Sequence, residues 1–507
     1  MNPGFPGSPS PRILAVATAL LAFGSGFGIL VLEIAGGRIL AEVYGLSTVP
    51  WTAVIATVLA GLALGNTVGG WLADRGRASL FVLFLIAGGT VVVPVVGAEL
   101  PGWFLARAGF LGGALLTSVT YFLVPSMLMG AVTPVLVERT TDGVEEVGRR
   151  FGDVGAWSTT GAIVGTLAGG FLLLPAFSLE LVLGFVGACF LLFAALAAGL
   201  EATRPGARVR SALILFPAPF LLVLVPAPEE GLVHRGQSVH AAIKVVDQEW
   251  YRGVQVRELW QNGSRSSAER VANGEPAHHY QIAAAWLLDE ALPQSRAVLV
   301  LGGAANSLPA FLKRRHPHLS VTVVELDPYV VEVARAFFAW GDMPRESLDM
   351  RVTDARPFLR RDPGSYEVIV ADAYDHLYSI PWPLVTVEAF QDMADRLRPG
   401  GMVTLTISAP LEGRAGVLAR RVKATMEAVF PHVRVYLSRP GQDLARTQEV
   451  LFVAAMSEAA LPALEWPRAV VEAEGEPFRD DFAPVEYLTA LRLIHDPAWA
   501  SSANGSR

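Results

Sequence analysis

The stretch EVIVADAYDH, residues 367–376, decides how the chain is read. Residues 368–371 are apolar and β-prone, the signature of a strand buried on both faces of a parallel sheet. Asp372 follows at the strand end and Asp375 three positions later. Two carboxylates beside a buried core are costly unless a cation, a proton or a donor meets them.

Upstream of this stretch the pattern alternates strand and helix. AVLVLGG (297–303) is a strand ending in glycines, and SLPAFLKRRH opens a helix. VTVVELD (321–327) and PYVVEVARAFFAW repeat the unit. MRVTDARPFLRR gives a short strand and a helix start, and residues 384–407 give a helix, a turn and a fifth strand. HAAIKVVDQEWYRGVQVRELWQNG (240–263), with its Asn262-Gly263 turn, reads as a small antiparallel β unit before a helix at about 277–291.

Residues 13–227 are of another kind. Spans of about 20 apolar residues suffice to cross a bilayer, and six are read at 13–35, 51–73, 79–98, 109–137, 154–175 and 179–199, with a short seventh candidate at 212–227. The expected fold class is therefore an α-helical membrane bundle of six to seven spans followed by an α/β domain. That domain combines the antiparallel β unit with a doubly wound, mostly parallel sheet. The expected domains are 1–228, 229–276 and 277–507. Arginines after the second, fourth and sixth spans put the amino terminus and the even loops in the cytoplasm. Seven spans would then place the second half outside. The expected location is the cell inner membrane, as a multi-pass protein with the second half in the cytoplasm.

Composition narrows the function. Of 507 residues 52% are hydrophobic and 17% charged, and the formal net charge of −7 leaves no basic stripe for nucleic acid. The single cysteine, Cys189, excludes an intramolecular disulfide and a cysteine-based metal cluster. Glu33 stands inside the first span with Arg38 five residues on, either a cation pathway or a structural ion pair. GGWLADRGR (69–77) resembles the loop between the second and third spans of major-facilitator transporters.

Ligands of open α/β sheets bind outside the carboxyl ends of the strands. Gly302 and Gly303 stand at the first such end, where small residues admit a ligand to the backbone. Glu325 ends the second strand, positioned to accept from ribose hydroxyls, and Asp354 follows the third, positioned for the exocyclic amine of a base. Together they suggest an adenosine site.

VLVLGG, VTVVELDP, DARPFL and YEVIVADAYD, in this order and spacing, make residues ~235–440 resemble the spermidine synthase family of aminopropyltransferases. With the apolar first half and RDDFAPVEYL (479–488), the chain resembles membrane-fused spermidine synthase-like proteins. The resemblance implies that Glu325 binds ribose and that Asp354 and the Ala355 backbone bind adenine. It makes Asp372 the proton acceptor from an attacking amine and Asp375 the anchor of a polyamine. Tyr280 and Gln281 match a substrate-facing pair. Tyr374 lies in a loop, with His376, Tyr378 and Trp382, that is expected to close over the donor. The resemblance further implies a sheet of the S-adenosylmethionine-dependent transferase type that takes S-adenosylmethionine or its decarboxylated form as substrate, with no tightly bound cofactor and no metal; the cytosolic supply of such a sulfonium favours a cytoplasmic second half. Expected partners are a polyamine, the lipid bilayer and, in a homodimer, a second copy of the chain.

Three positions depart from the family pattern. Ala305 stands where an acid holds the donor amine, Ser266 where a glutamine usually stands, and Ile282 where an acid follows the Tyr–Gln pair. Alternatives stay open: acceptor-independent cleavage of S-adenosylmethionine to methylthioadenosine and a lactone, methyl transfer, and a transporter or sensor whose nucleotide domain only binds ligand.

Overall fold

A computed structural model describes residues 11–45, 47–141, 143–201, 229–291, 295–374, 380–439, 441, 443–462 and 466–495. The chain divides into two compact units, one of residues 1–43 and 48–228, the other of 44–47 and 229–507.

In the first unit, five helices are long and apolar enough to cross a membrane: Arg12–Tyr44, Thr48–Ala73, Leu100–Thr140, Val144–Ala176 and Leu179–Leu200. The span read at 79–98 falls short. It is a shorter apolar helix, Leu80–Val96, whose regular part stops at Thr90 before a second piece, Val93–Val96, with a proline in its first turn. Gly88, Gly89 and Pro94 explain the interruption, since glycine and proline weaken a helix interior. The candidate at 212–227 lies outside the described residues. Large apolar side chains such as Leu59, Trp71, Ile163 and Phe171 stand exposed on the helices, as expected of a surface solvated by lipid. Close helix contacts use small residues. A Cβ on Gly65 would lie 2.0 Å from the Met127 carbonyl oxygen.

Charges inside this unit tie helices together. The Arg38 guanidinium donates to the Leu174 carbonyl at 3.3 Å. Glu201 accepts from the Ser79 hydroxyl at 2.6 Å and pairs with Arg139 at 3.0 Å. The transporter-like loop thus leads into a helix start pinned by an acid, and Arg139 also donates to the Ala78 carbonyl.

The second unit opens with an antiparallel meander: β1 (Leu232–Gln237), β2 (Ala242–Trp250), β3 (Val254–Gln261) and β4 (Ser264–Arg270). Asn262 and Gly263 both take positive φ, 49° and 75°, the requirement of a tight I′ hairpin turn. A helix, His279–Ala291, leads into β5 (Ala297–Leu301), β6 (Ser320–Glu325), β7 (Asp349–Val352), β8 (Tyr366–Ala371) and β9 (Leu397–Ala409). These five strands are parallel, in the order β7-β6-β5-β8-β9.

The sheet then departs from the sequence reading. β11 (Gln448–Ala455), β10 (His432–Leu437) and β12 (Arg468–Ala469) extend it beyond β9, all antiparallel. The eight-stranded sheet is therefore mixed, a parallel half joined to an antiparallel edge.

Alternation along β5 shows why the sheet is buried on both faces. Val298 and Val300 belong to a core with Leu287, Leu312 and Val321. Leu299 and Leu301 belong to another with Ile369, Phe390 and Val403. Each such side chain contributes about 1.5–3 kcal/mol when fully buried. A smaller apolar cluster docks the meander onto the α/β layer. It joins Ile243, Val245 and Leu259 of the meander to Val330, Val333, Phe338 and Ala305. This docking brings the β3–β4 hairpin to the carboxyl edge of the large sheet.

Candidate active site

The strand order reverses between β5 and β8, which makes the crevice outside their carboxyl ends the expected ligand position. Backbone hydrogen bonds keep the edge in register past the strands. Asp372 N donates to Leu301 O at 2.9 Å and Gly302 N to Val324 O at 2.8 Å. Gly302 has φ 91°, and a Cβ there would meet the Asp372 carbonyl oxygen at 2.5 Å. No side chain fits between these two strand ends.

On the nucleoside side of the crevice, Glu325 is buried at the end of β6. One carboxylate oxygen accepts from the backbone N–H of Gly303 and of Ala304, both at 3.0 Å, and the other from Asp327 N at 3.1 Å. Burial pushes its pKa above the usual carboxylate range, and the backbone N–H groups oppose that shift. Glu325 therefore fastens the glycine loop to β6. Asp354 is exposed and caps the short helix Ala355–Arg361, accepting from Arg356 N at 2.8 Å. Ala355 is half-buried beside it.

At the other side, Asp372 leaves β8 with its Oδ1 out of solvent and without a hydrogen-bond partner among the described residues. The Tyr280 side chain lies beside the Asp372 carboxyl group. Burial, and next the charge of Glu449, push the Asp372 pKa up to about 8, opposed by Tyr280. Glu449 itself is pushed up to about 7 by burial, opposed by the Arg439 charge and by the hydrogen bond its carboxylate accepts from Tyr280 N–H. The Tyr374 hydroxyl is buried with no partner among the described residues, in the field of Asp372, Arg492 and Glu449.

Tyr280 is thus drawn to Asp372, whereas its neighbour Gln281 is not. Gln281 is buried and donates to Ser267 Oγ at 3.3 Å, and Ser267 in turn bonds Ser307 at 3.2 Å. Asp375, His376 and Tyr378 lie outside the described residues, and Trp382 begins a 3-10 turn, Trp382–Leu384. Ala305 is fully buried against the meander. Ser266 lines a small polar pocket with Tyr280, Tyr374, Thr406, Ser408 and Glu449. Asp480 accepts from Arg356 at 2.8 Å, Arg360 at 2.9 Å and Thr386 at 2.7 Å. The helix Val485–His495 starts five residues later and carries the buried Arg492, which donates to the Ser408 carbonyl.

Glu449 was not singled out from the sequence. Its signal is an acid near the start of the apolar strand QEVLFVAA (448–455). Because β11 runs antiparallel to β9, its beginning lies at the same edge as the ends of the parallel strands.

Residues 277–439 match the family model described as the spermine/spermidine synthase domain. Residue identity to polyamine aminopropyltransferase 2 of Pseudomonas aeruginosa is 32% over 190 residues, covering 36% of this chain and 51% of that protein. A probable polyamine aminopropyl transferase of Bifidobacterium longum is 28% identical over 138 residues, 27% of this chain and 29% of that protein. The chain thus spans about half or less of the length of these two relatives. The polyamine aminopropyltransferase of Mycobacterium tuberculosis is 24% identical over 459 residues, covering 83% of this chain and 86% of that protein. That alignment is too long to be confined to the second unit. Among solved structures, a probable spermidine synthase from Corynebacterium glutamicum aligns with TM-score 0.38 and 21% identity, over 55% of this chain and 96% of that one. The chain carries a spermine/spermidine synthase domain, with homologues among the polyamine aminopropyltransferases.

Proposed function

We propose that the chain is a membrane-bound enzyme that cleaves a sulfonium nucleoside, S-adenosylmethionine or its decarboxylated form, and transfers the released aminopropyl-type group to a polyamine. The observation that carries this reading is Asp372 at the switch point, its Oδ1 out of solvent and unpartnered among the described residues, with Tyr280 and Glu449 beside it. Gly302, Gly303, Glu325, Asp354 and Ala355 are the proposed nucleoside-binding residues, and Asp375 is a proposed partner of Asp372.

The chemistry needs a deprotonated amine held in line with the methylene carbon on the sulfonium sulfur. A C–N bond forms to that carbon and the C–S bond breaks. The electron pair stays on the sulfur of neutral methylthioadenosine, and the amine proton passes to Asp372. A cation arriving in the site favours ionised Asp372, which makes the aspartate a base when substrate is bound. Glu449 offers a second carboxylate to an ammonium.

A second reading, cleavage of S-adenosylmethionine by its own carboxylate to give methylthioadenosine and a lactone, is favoured by Ala305. The acid expected there to hold the donor amine is replaced by a methyl group packed in an apolar cluster. We place the second unit in the cytoplasm, where the sulfonium donor is made. Incubation of the purified full chain with each donor, with and without polyamines, tests the proposal. Methylthioadenosine is the expected nucleoside product; adenosylhomocysteine would overturn both readings in favour of methyl transfer.

A further inference from the structure

The pocket beside Asp372 is small and carries charge of both signs. Glu449 lines it, with Thr406 and Ser408 of β9. Arg265, on β4 just after the hairpin turn, lines the same pocket with Ser264 and Ser266. A pocket for a simple diamine needs acids and has no use for a guanidinium, which repels ammonium groups.

The Arg265 guanidinium is only partly engaged: its Nε is ion-paired with the buried Glu258, and its side chain stays partly exposed. Its nearest acid, Glu258, already accepts the indole N–H of Trp250 at 2.8 Å and of Trp260 at 2.7 Å. The Arg265–Glu258 distance is 3.6 Å, too long for a hydrogen bond, and the Arg265 side chain keeps 37% of its surface. The Trp260 ring lies under the guanidinium, 5.1 Å to its centroid, and sets its orientation. His278, stacked on Tyr280 at 5.7 Å, has its pKa pushed down to about 3 by burial first and then by Arg265, His279 and Arg439.

We infer that this pocket takes a group bearing both an ammonium and a carboxylate, the head of an α-amino acid, with Glu449 on the ammonium and Arg265 on the carboxylate. The inference rests on the proposed sulfonium chemistry and narrows its substrate class. Two sources supply such a head: the methionyl end of S-adenosylmethionine, or an amino-acid acceptor in place of a diamine. A guanidinium meets a carboxylate with paired N–H donors, which neither decarboxylated partner can use.

The test uses two matched pairs that differ only by a carboxylate. S-adenosylmethionine is set against its decarboxylated form, and ornithine against putrescine, with methylthioadenosine release and calorimetric binding measured on the purified full chain. We expect the carboxylate-bearing member of at least one pair to be preferred at least tenfold in kcat/KM; the pair concerned identifies the source. Arg265→Gln should abolish that preference while leaving kcat/KM for the decarboxylated member within about twofold, and Arg265→Lys should restore part of it. Equal or better use of the decarboxylated member in both pairs overturns the inference, as does a preference that survives Arg265→Gln. Binding of S-adenosylmethionine without methylthioadenosine from any combination instead overturns the proposed function. In that case a tenfold affinity preference lost in Arg265→Gln still supports the carboxylate assignment, and equal affinities refute it.

Discussion

Asp372→Asn should make the protein more stable and less active at once. The carboxyl group has an ordinary pKa of 3.8 and is pushed up to about 8 in the fold by burial and by Glu449. A raised acid binds its proton more tightly in the folded than in the unfolded state, so stability falls as pH rises between the two values. The cost relative to pH 3.8 is about 1.4 kcal/mol per pH unit and reaches about 4 kcal/mol at pH 7. Asparagine has no proton to hold, so the variant should escape that cost, up to a bound of about 4 kcal/mol at pH 7 set by the desolvation of its own amide. The gain should vanish below about pH 4, grow through neutrality and level off above about pH 8. The assay is unfolding of the full chain in detergent without substrate, following the transition of the second unit from pH 4 to 9, beside single-turnover release of methylthioadenosine. Turnover should fall by about 10²–10⁴-fold, the usual worth of a positioned base. A variant whose stability runs parallel to wild type across this range would refute the buried-acid account. Wild-type turnover would refute the base.

Two further outcomes follow from the same geometry. Glu325→Ala should weaken nucleoside binding by about tenfold to a hundredfold in calorimetry, the worth of a charge-assisted hydrogen bond; unchanged affinity in a folded variant would put the nucleoside elsewhere. Glu449→Gln should raise the KM for an ammonium-bearing substrate and move the acid limb of the kcat/KM profile to lower pH, because Asp372 loses the neighbouring charge that raises its pKa; an unmoved limb would sink that coupling.

Much of the site was legible because it depends on chain-local patterns. The end of a buried strand is visible as an apolar run, and the acid or glycine after it falls at the sheet's carboxyl edge in any parallel arrangement. Gly302, Glu325 and Asp372 were found in this way. Asp354 was found by the same rule, although here its carboxylate caps a helix. Glu449 escaped because its position depends on strand direction. An acid near the start of a strand lies far from the site if the strand is parallel and beside it if antiparallel, and hydropathy carries no sign of direction. Asp480 escaped for a related reason, since its bonds to Arg356, Arg360 and Thr386 join residues about a hundred positions apart in the chain.

The sequence by itself determined the division into an apolar helical half and an α/β half, the alternation of strand and helix, and the residues at the ends of the parallel strands. Each follows from periodicity and composition within a short window. Tertiary structure alone decided the antiparallel edge of the large sheet. It turned Tyr280 toward Asp372 while Gln281 turned to Ser267, and it set Arg265 and Glu449 in the lining of one pocket. Those outcomes depend on which surfaces pack together: the apolar cluster of Ile243, Leu259, Ala305 and Val333 docks the meander, and that docking carries a guanidinium to the edge where the buried acids stand.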